Sequence, residues 1–459
     1  MRPAAIGSAV GTAAGTPVAA LSRGATLVPW PARVRTAFPF ALGGVVGGVV
    51  ALKVGFVAST LRAIQGRGRG PVTAGTVGMT AALAGVGVFA GTYGRDVVLT
   101  RMASGGRELD PGFATPPTLA TVSGSVESAI PVASLGREGA RFVGTTTSAD
   151  DVQAVMGQSQ VAEPVRVFIG VETADTIEER VALAMAELRR TGAFDRQVLL
   201  VQASAGSGYA NATPVDILEI LTRGNSAAVS IGYGLLPSFL SLGKVQVAAR
   251  TQQLLLDAIR DELAERPQRP TLLLYGESLG AKVQEAAVAG GPIDLDHYGI
   301  SHALWVGTPG GKPADAFHER CAGESITVDR PEQIPATFPS GRPRVWFLEH
   351  DGDPVVRFRP ELMTARPAWL PVAGERGRNV PATMQWRPGI TWAQVLVDTL
   401  FATHIKPGDF QSLGHDYRAD LGGVVPAAFG FDLDAATAER LEARLRQLEI
   451  QRAARINGT

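Results

Sequence analysis

The chain predicts an α/β fold, a mostly parallel sheet covered by helices on both faces, preceded by a transmembrane helical hairpin. Three observations carry that expectation. From about Val165 onward, short apolar runs alternate with amphipathic stretches, as repeated β-α units require. The runs are apolar almost throughout instead of alternating, which is the mark of strands covered on both faces. Before them lie two long segments, 38–60 and 71–94, that are nearly free of charge.

The two N-terminal segments are 23 and 24 residues long, each enough to cross a bilayer, and Lys53 is their single charge. The first carries Gly43, Gly44, Gly47 and Gly48, and the second Gly75, Gly78, Gly85, Gly87 and Gly91, small residues that let two membrane helices approach closely. Arg62, Arg67 and Arg69 lie between them. Arg23, Arg33, Arg35, Arg95 and Arg101 flank the pair on the other side, and this excess favours a cytoplasmic N-terminus and a cytoplasmic C-terminal part. Residues 1–104 are therefore expected to form a membrane segment. Residues 105–163, rich in Pro, Gly, Ser and Thr, read as a linker or strapping segment.

Strands are expected at Val165–Gly170, Gln197–Gln202, Ala228–Tyr233, Thr271–Tyr275, Ala303–Gly307 and Val345–Glu349. Helices are expected at Ile177–Arg190, around Val215–Thr222, from about Leu240 to Ala264, and over Trp392–Phe401. These place a catalytic domain at 164–431. A last helix, within 432–459, carries Leu441, Leu445 and Leu448 on one face.

Composition narrows the function classes. Lys plus Arg and Asp plus Glu are 43 each, so no net field recruits nucleic acid. Cys321 is the only cysteine, which rules out an intrachain disulfide and a cysteine-built zinc site, and the six histidines form no His-x-x-x-His pair. Neither a metal nor another cofactor is expected.

Gly276-Glu277-Ser278-Leu279-Gly280 is the only Gly-x-Ser-x-Gly in the chain, a pattern expected by chance roughly 0.3 times at this composition. Its flanks switch from strand-like to helix-like at the serine, as in a nucleophile elbow. A serine hydroxyl needs a base, and the base needs a carboxylate to orient it. In the α/β-hydrolase order the acid and then the histidine follow the serine. Asp353, in the loop after a strand and fixed by Pro354, is the chosen acid, with Asp351 its rival. His415, in a Gly-containing loop, is the chosen base, with His404 at a helix end the alternative. The oxyanion donors are expected from the Leu279 N–H and from the Ala203–Tyr209 loop, through Gly206 and Ser207.

Several segments together then resemble a known family. They are Leu135–Gly139, Arg141–Val143, Thr191–Arg196, Tyr233–Leu242, Leu274–Gly280, Asp353–Val356 and Gly414–Tyr417, and they are similar to the bacterial membrane-associated α/β-hydrolases of abhydrolase family 9. The resemblance spans about Leu135–Tyr417 and implies Ser278 as nucleophile, Asp353 as acid and His415 as base. Members usually have more membrane spans than two. Where many carry Thr-Gly-Thr-Gly-Trp, this chain has Ser204-Ala205-Gly206-Ser207-Gly208-Tyr209. The expected function is a membrane-anchored serine hydrolase acting on an acyl ester, of a lipid or of the cell envelope. An acyltransferase with the same triad, or a non-catalytic scaffold, is the alternative.

Overall fold

The structure is a computed structural model that describes residues 26–30, 105–235, 241–339, 341–402 and 408–458. Both predicted membrane spans, 38–60 and 71–94, lie outside the described residues, as does His404. Among the described residues no helix is long and apolar enough to cross a membrane.

The chain divides into two compact units. The larger comprises Met102–Arg359, Gly377–Asn379 and Ala402–Thr459, and the smaller joins Pro360–Arg376 and Val380–Phe401 to the N-terminal stretch. The larger unit holds a parallel sheet of seven strands: β1 (Val165–Ile169), β2 (Val198–Ala203), β3 (Ser226–Ile231), β4 (Thr271–Glu277), β5 (Ile300–Val306), β6 (Ser325–Val328) and β7 (Val345–Leu348). Their order is β1-β3-β2-β4-β5-β7-β6, and every pairing is parallel. β1, β2, β3 and β7 are buried at every residue, which is why they read as continuous apolar runs. β3 returns to lie between β1 and β2, whereas β4 pairs on the other side of β2. The strand order thus reverses at β2 and β4, and the loops leaving their carboxyl ends part there to form the crevice in which such sheets bind ligands.

Among the described residues the helices are α1 (Gly136–Val143), α2 (Ala149–Met156), α3 (Ile177–Arg190), α4 (Ala212–Leu221), α5 (Val245–Ala264), α6 (Leu279–Ala287), α7 (Pro292–Tyr298), α8 (Lys312–Cys321), α9 (Pro354–Arg357), α10 (Ile390–Phe401), α11 (Arg418–Ala428) and α12 (Ala435–Asn457). Thr176 and Glu179 form a capping box that starts α3 where the sequence places it. Ser148 and Asp151 do the same for α2. The 105–163 segment is more than a tether: α1 and α2 bury Phe142, Val143, Val152 and Val155, and Val122 forms a parallel bridge to Arg166 beside β1. α12 turns Leu441, Leu445 and Leu448 into the core.

In the smaller unit, Asp398 of α10 accepts hydrogen bonds from the Leu27 N–H at 3.0 Å and from Trp30 Nε1 at 2.6 Å. Burial pushes its carboxyl up to about 7, against the lowering effect of these donors.

A fully buried ion cluster sits inside the larger unit. Arg166 of β1 has no exposed surface, and its guanidinium donates to Glu219 Oε1 at 2.6 Å, to Asp216 Oδ1 at 2.8 Å and to the Phe142 carbonyl at 2.9 Å. Both carboxylates belong to α4, and Arg452 of α12 pairs with the second oxygen of Asp216. A buried guanidinium is tolerated only with this full set of partners, and removing one member strands the rest. Arg166→Ala is expected to cost about 3–5 kcal/mol, read as a lower urea midpoint for the sheet-bearing unit.

Candidate active site

β4 ends at Glu277 and α6 begins at Leu279, which leaves Ser278 alone to make the turn. Its backbone has φ 57° and ψ −127°, a conformation that L-residues avoid. Such a residue costs about 1–3 kcal/mol and persists only when its surroundings hold it. The Ser278 N–H donates to the Val306 carbonyl at 2.8 Å, which fixes the turn against β5. The glycines on either side allow the strand and helix to come this close. A Cβ on Gly276 would stand 2.6 Å from the Ala281 Cα, and one on Gly280 would stand 2.4 Å from the Ala203 carbonyl oxygen. Ser278 itself is half-buried.

Asp353 comes from the loop after β7, and His415 from the loop that precedes α11. Asp353 follows β7 and caps α9, its Oδ1 accepting from the Val355 N–H at 2.8 Å. Its Oδ2 lies 2.6 Å from His415 Nδ1. Both side chains are buried. Asp351, two residues earlier, faces Arg357 at 2.8 Å instead. The His415 ring reaches β5: a Cβ on Gly307 would lie 2.8 Å from His415 Cε1. Gly307 directly follows Val306, whose carbonyl holds the Ser278 N–H, so His415 and Ser278 both lie at the end of β5. No Ser278–His415 hydrogen bond is formed in this structure. His415 Nε2 is buried and has no hydrogen-bond partner among the described residues.

Burial, the largest influence, pulls the His415 imidazole down, and Asp353 beside it, with Glu277 and Asp416, more than offsets this. The ring therefore titrates above the ordinary histidine value. Glu277 is held by Asn211 Nδ2 and the Tyr275 hydroxyl, each at 2.7 Å, while burial raises its own carboxyl.

The Leu279 N–H occupies the first position of α6, where helix amides lack intrahelical acceptors and favour negative charge. The loop after β2 lies against this helix start, since the absent Gly280 side chain faces the Ala203 and Ser204 carbonyls. Within the loop the Ala205 N–H donates to the Tyr209 carbonyl at 2.7 Å, and the Gly206 carbonyl accepts from Ser241 Oγ at 3.3 Å. Gly206 is buried and Ser207 half-buried in this turn. The structure thus brings Leu279 to the serine directly, while Gly206 is held against Gly234 and Ser241. Among the described residues, no group of three or more His, Cys, Asp or Glu side chains is arranged to hold a metal.

One side chain at the site had no assigned role in the sequence. Tyr417 donates its hydroxyl to Asp353 Oδ2 at 2.6 Å. Its place two residues after the histidine was the available signal.

Residues 165–429 match an alpha/beta-hydrolase family, and the chain belongs to it. No curated protein matches the chain. Among solved structures, an acetyl xylan esterase is similar at 17% identity over 35% of this chain and 85% of its own, with a TM-score of 0.24. The catalytic core domain of acetyl xylan esterase from Trichoderma reesei follows at 12% identity over 34% and 84%, with a TM-score of 0.22. The fold assignment rests on the sheet and the family match.

Gly280→Ala is expected to cost about 1–3 kcal/mol, checked by denaturant titration, because its methyl group meets a backbone oxygen that cannot move aside. The histidine makes a second prediction. Its folded value is raised, so its pairing stabilises the fold fully below about pH 6.5, and that contribution is lost as pH rises through the folded value. An NMR titration of the His415 ring should give a midpoint above the ordinary value, and Asp353→Asn should lower it, since burial then meets less opposition.

Proposed function

We propose that the protein is a serine ester hydrolase in which Ser278 is the nucleophile, His415 the general base and Asp353 the residue that orients it. The observation that carries this reading is the 2.6 Å contact between His415 Nδ1 and Asp353 Oδ2 beside a serine in a strained turn at a helix start. Ser278 Oγ attacks the acyl carbonyl while His415 Nε2 takes its proton, and Asp353 stabilises the imidazolium that forms. The oxyanion develops toward the Leu279 N–H, with the Gly206–Ser207 turn supplying the second donor. Collapse of the tetrahedral intermediate releases the alcohol, which takes the proton from His415 and leaves an acyl-serine. Water activated by the same histidine then frees the acid. The apolar runs at 38–60 and 71–94 support a membrane-anchored enzyme with a lipid or envelope ester as substrate.

A fluorophosphonate probe should label the full-length protein, and Ser278→Ala should abolish labelling. His415→Ala and Asp353→Asn should slow it about 1,000-fold or more, whereas Asp351→Asn, which removes only the partner of Arg357, should label like wild type. Persistent labelling of Ser278→Ala excludes this serine as the nucleophile.

A further inference from the structure

The geometry points to Tyr417 as a positioning residue that sets both the aim and the basicity of His415 by sharing its carboxylate oxygen. This rests on the triad proposed above. Asp353 Oδ2 accepts from two donors, His415 Nδ1 and the Tyr417 hydroxyl, each at 2.6 Å. The tyrosine oxygen in turn accepts from the His350 N–H at 3.1 Å. That amide belongs to the same loop after β7 that carries Asp353, so the phenol ties the loop and the acid to one point.

The ring is held as firmly as the hydroxyl. Tyr417 is wholly buried, and one face stacks on His350 with centroids 3.8 Å apart. The His415 ring meets it edge-on at 5.7 Å and 85°. The ring also packs against Gly307, where a Cβ would lie 2.7 Å from Tyr417 Cε2. A glycine at the end of β5 therefore makes room for the tyrosine and the histidine together. His350 is fixed in its turn by Asp420 Oδ2 at 2.7 Å from Nε2 and by the Gly414 carbonyl at 3.2 Å from Nδ1. Asp420 also binds Arg378 at 2.7 Å. The stacking partner thus cannot swing away.

A side chain that merely filled this space could be phenylalanine. The hydroxyl adds a donor to a buried carboxylate, which disperses the charge that His415 feels. Burial first, and then the Asp353 charge, hold the phenol protonated far above its usual range, so it remains a donor at every working pH. The groups facing the pair are Asp353 and Glu349 from β7 and its loop, Glu277 from β4, and Asp416 from the histidine's own loop. Only the first shares an oxygen with both rings.

Two variants of the full-length protein test this. Tyr417→Phe keeps the ring and removes the donor, and 3-fluorotyrosine at position 417 keeps the donor and makes it more acidic. Fluorophosphonate labelling rates are followed against pH, with the His415 NMR midpoint measured in parallel. Tyr417→Phe should slow labelling about 10-fold at neutral pH and move the acid limb and the NMR midpoint up by about one unit. Fluorotyrosine should move both down. Because fluorotyrosine preserves the fold, it decides the matter even if the phenylalanine variant fails to fold. Midpoints that stay in place in a normally labelled protein overturn the role of Tyr417 and leave the triad standing. A wild type that resists labelling overturns the triad, and Tyr417 as its positioning residue with it, whatever the midpoints do.

Discussion

At Gly280 the first turn of α6 runs against the backbone of β2 so closely that no side chain fits between them. With the helix seated there and β4 ending at Glu277, Ser278 has one residue in which to turn from strand to helix. The positive φ at Ser278 follows from that distance. The sheet supplies the force: β4 is paired on both edges, to β2 and β5, so the strand cannot retreat, and the strain stays local to the serine.

The rest of the site is arranged around the same strand end. Three segments distant in sequence converge on Gly307: the serine turn through Val306, the Asp353 loop through β7, and the His415–Tyr417 loop by ring contact. None of these loops holds the geometry by itself. Asp353 is fixed by the cap of α9 on one oxygen and by His415 and Tyr417 on the other, so its carboxylate is held in one orientation. Pre-organisation of this kind is what lets a small carboxylate hold a histidine in one orientation.

Much of this was legible in the residues. Apolar runs marked six of the seven strands because a sheet covered on both faces selects against polar residues throughout. α3 could be read from its charges set among alanines and leucines, and its start coincides with the Thr176–Glu179 capping box. β6 went unmarked: it is four residues long, includes Ser325 and Thr327, and pairs with β7 alone at the sheet edge, where burial selects little. Helices α1 and α2 hid within an apparent linker because eight residues make two turns, too few to display a period. Asp351 and Asp353 could not be separated in sequence, since both follow β7 and only the backbone of the turn decides which faces His415 and which faces Arg357. The tyrosine hydroxyl was beyond reach for a similar reason. Its meaning depends on an oxygen of a residue far earlier in the chain.

The buried arginine of β1 also has a bearing on how the molecule is made. A ribosome releases Arg166 early, yet Asp216 and its outer partner Arg452 are 236 residues apart in sequence. Until α12 has been synthesised, the α4 carboxylates outnumber the single guanidinium between them, and that edge of the sheet keeps an unbalanced negative charge. Completion of that edge therefore waits for α12, long after β1 and α4 have left the ribosome.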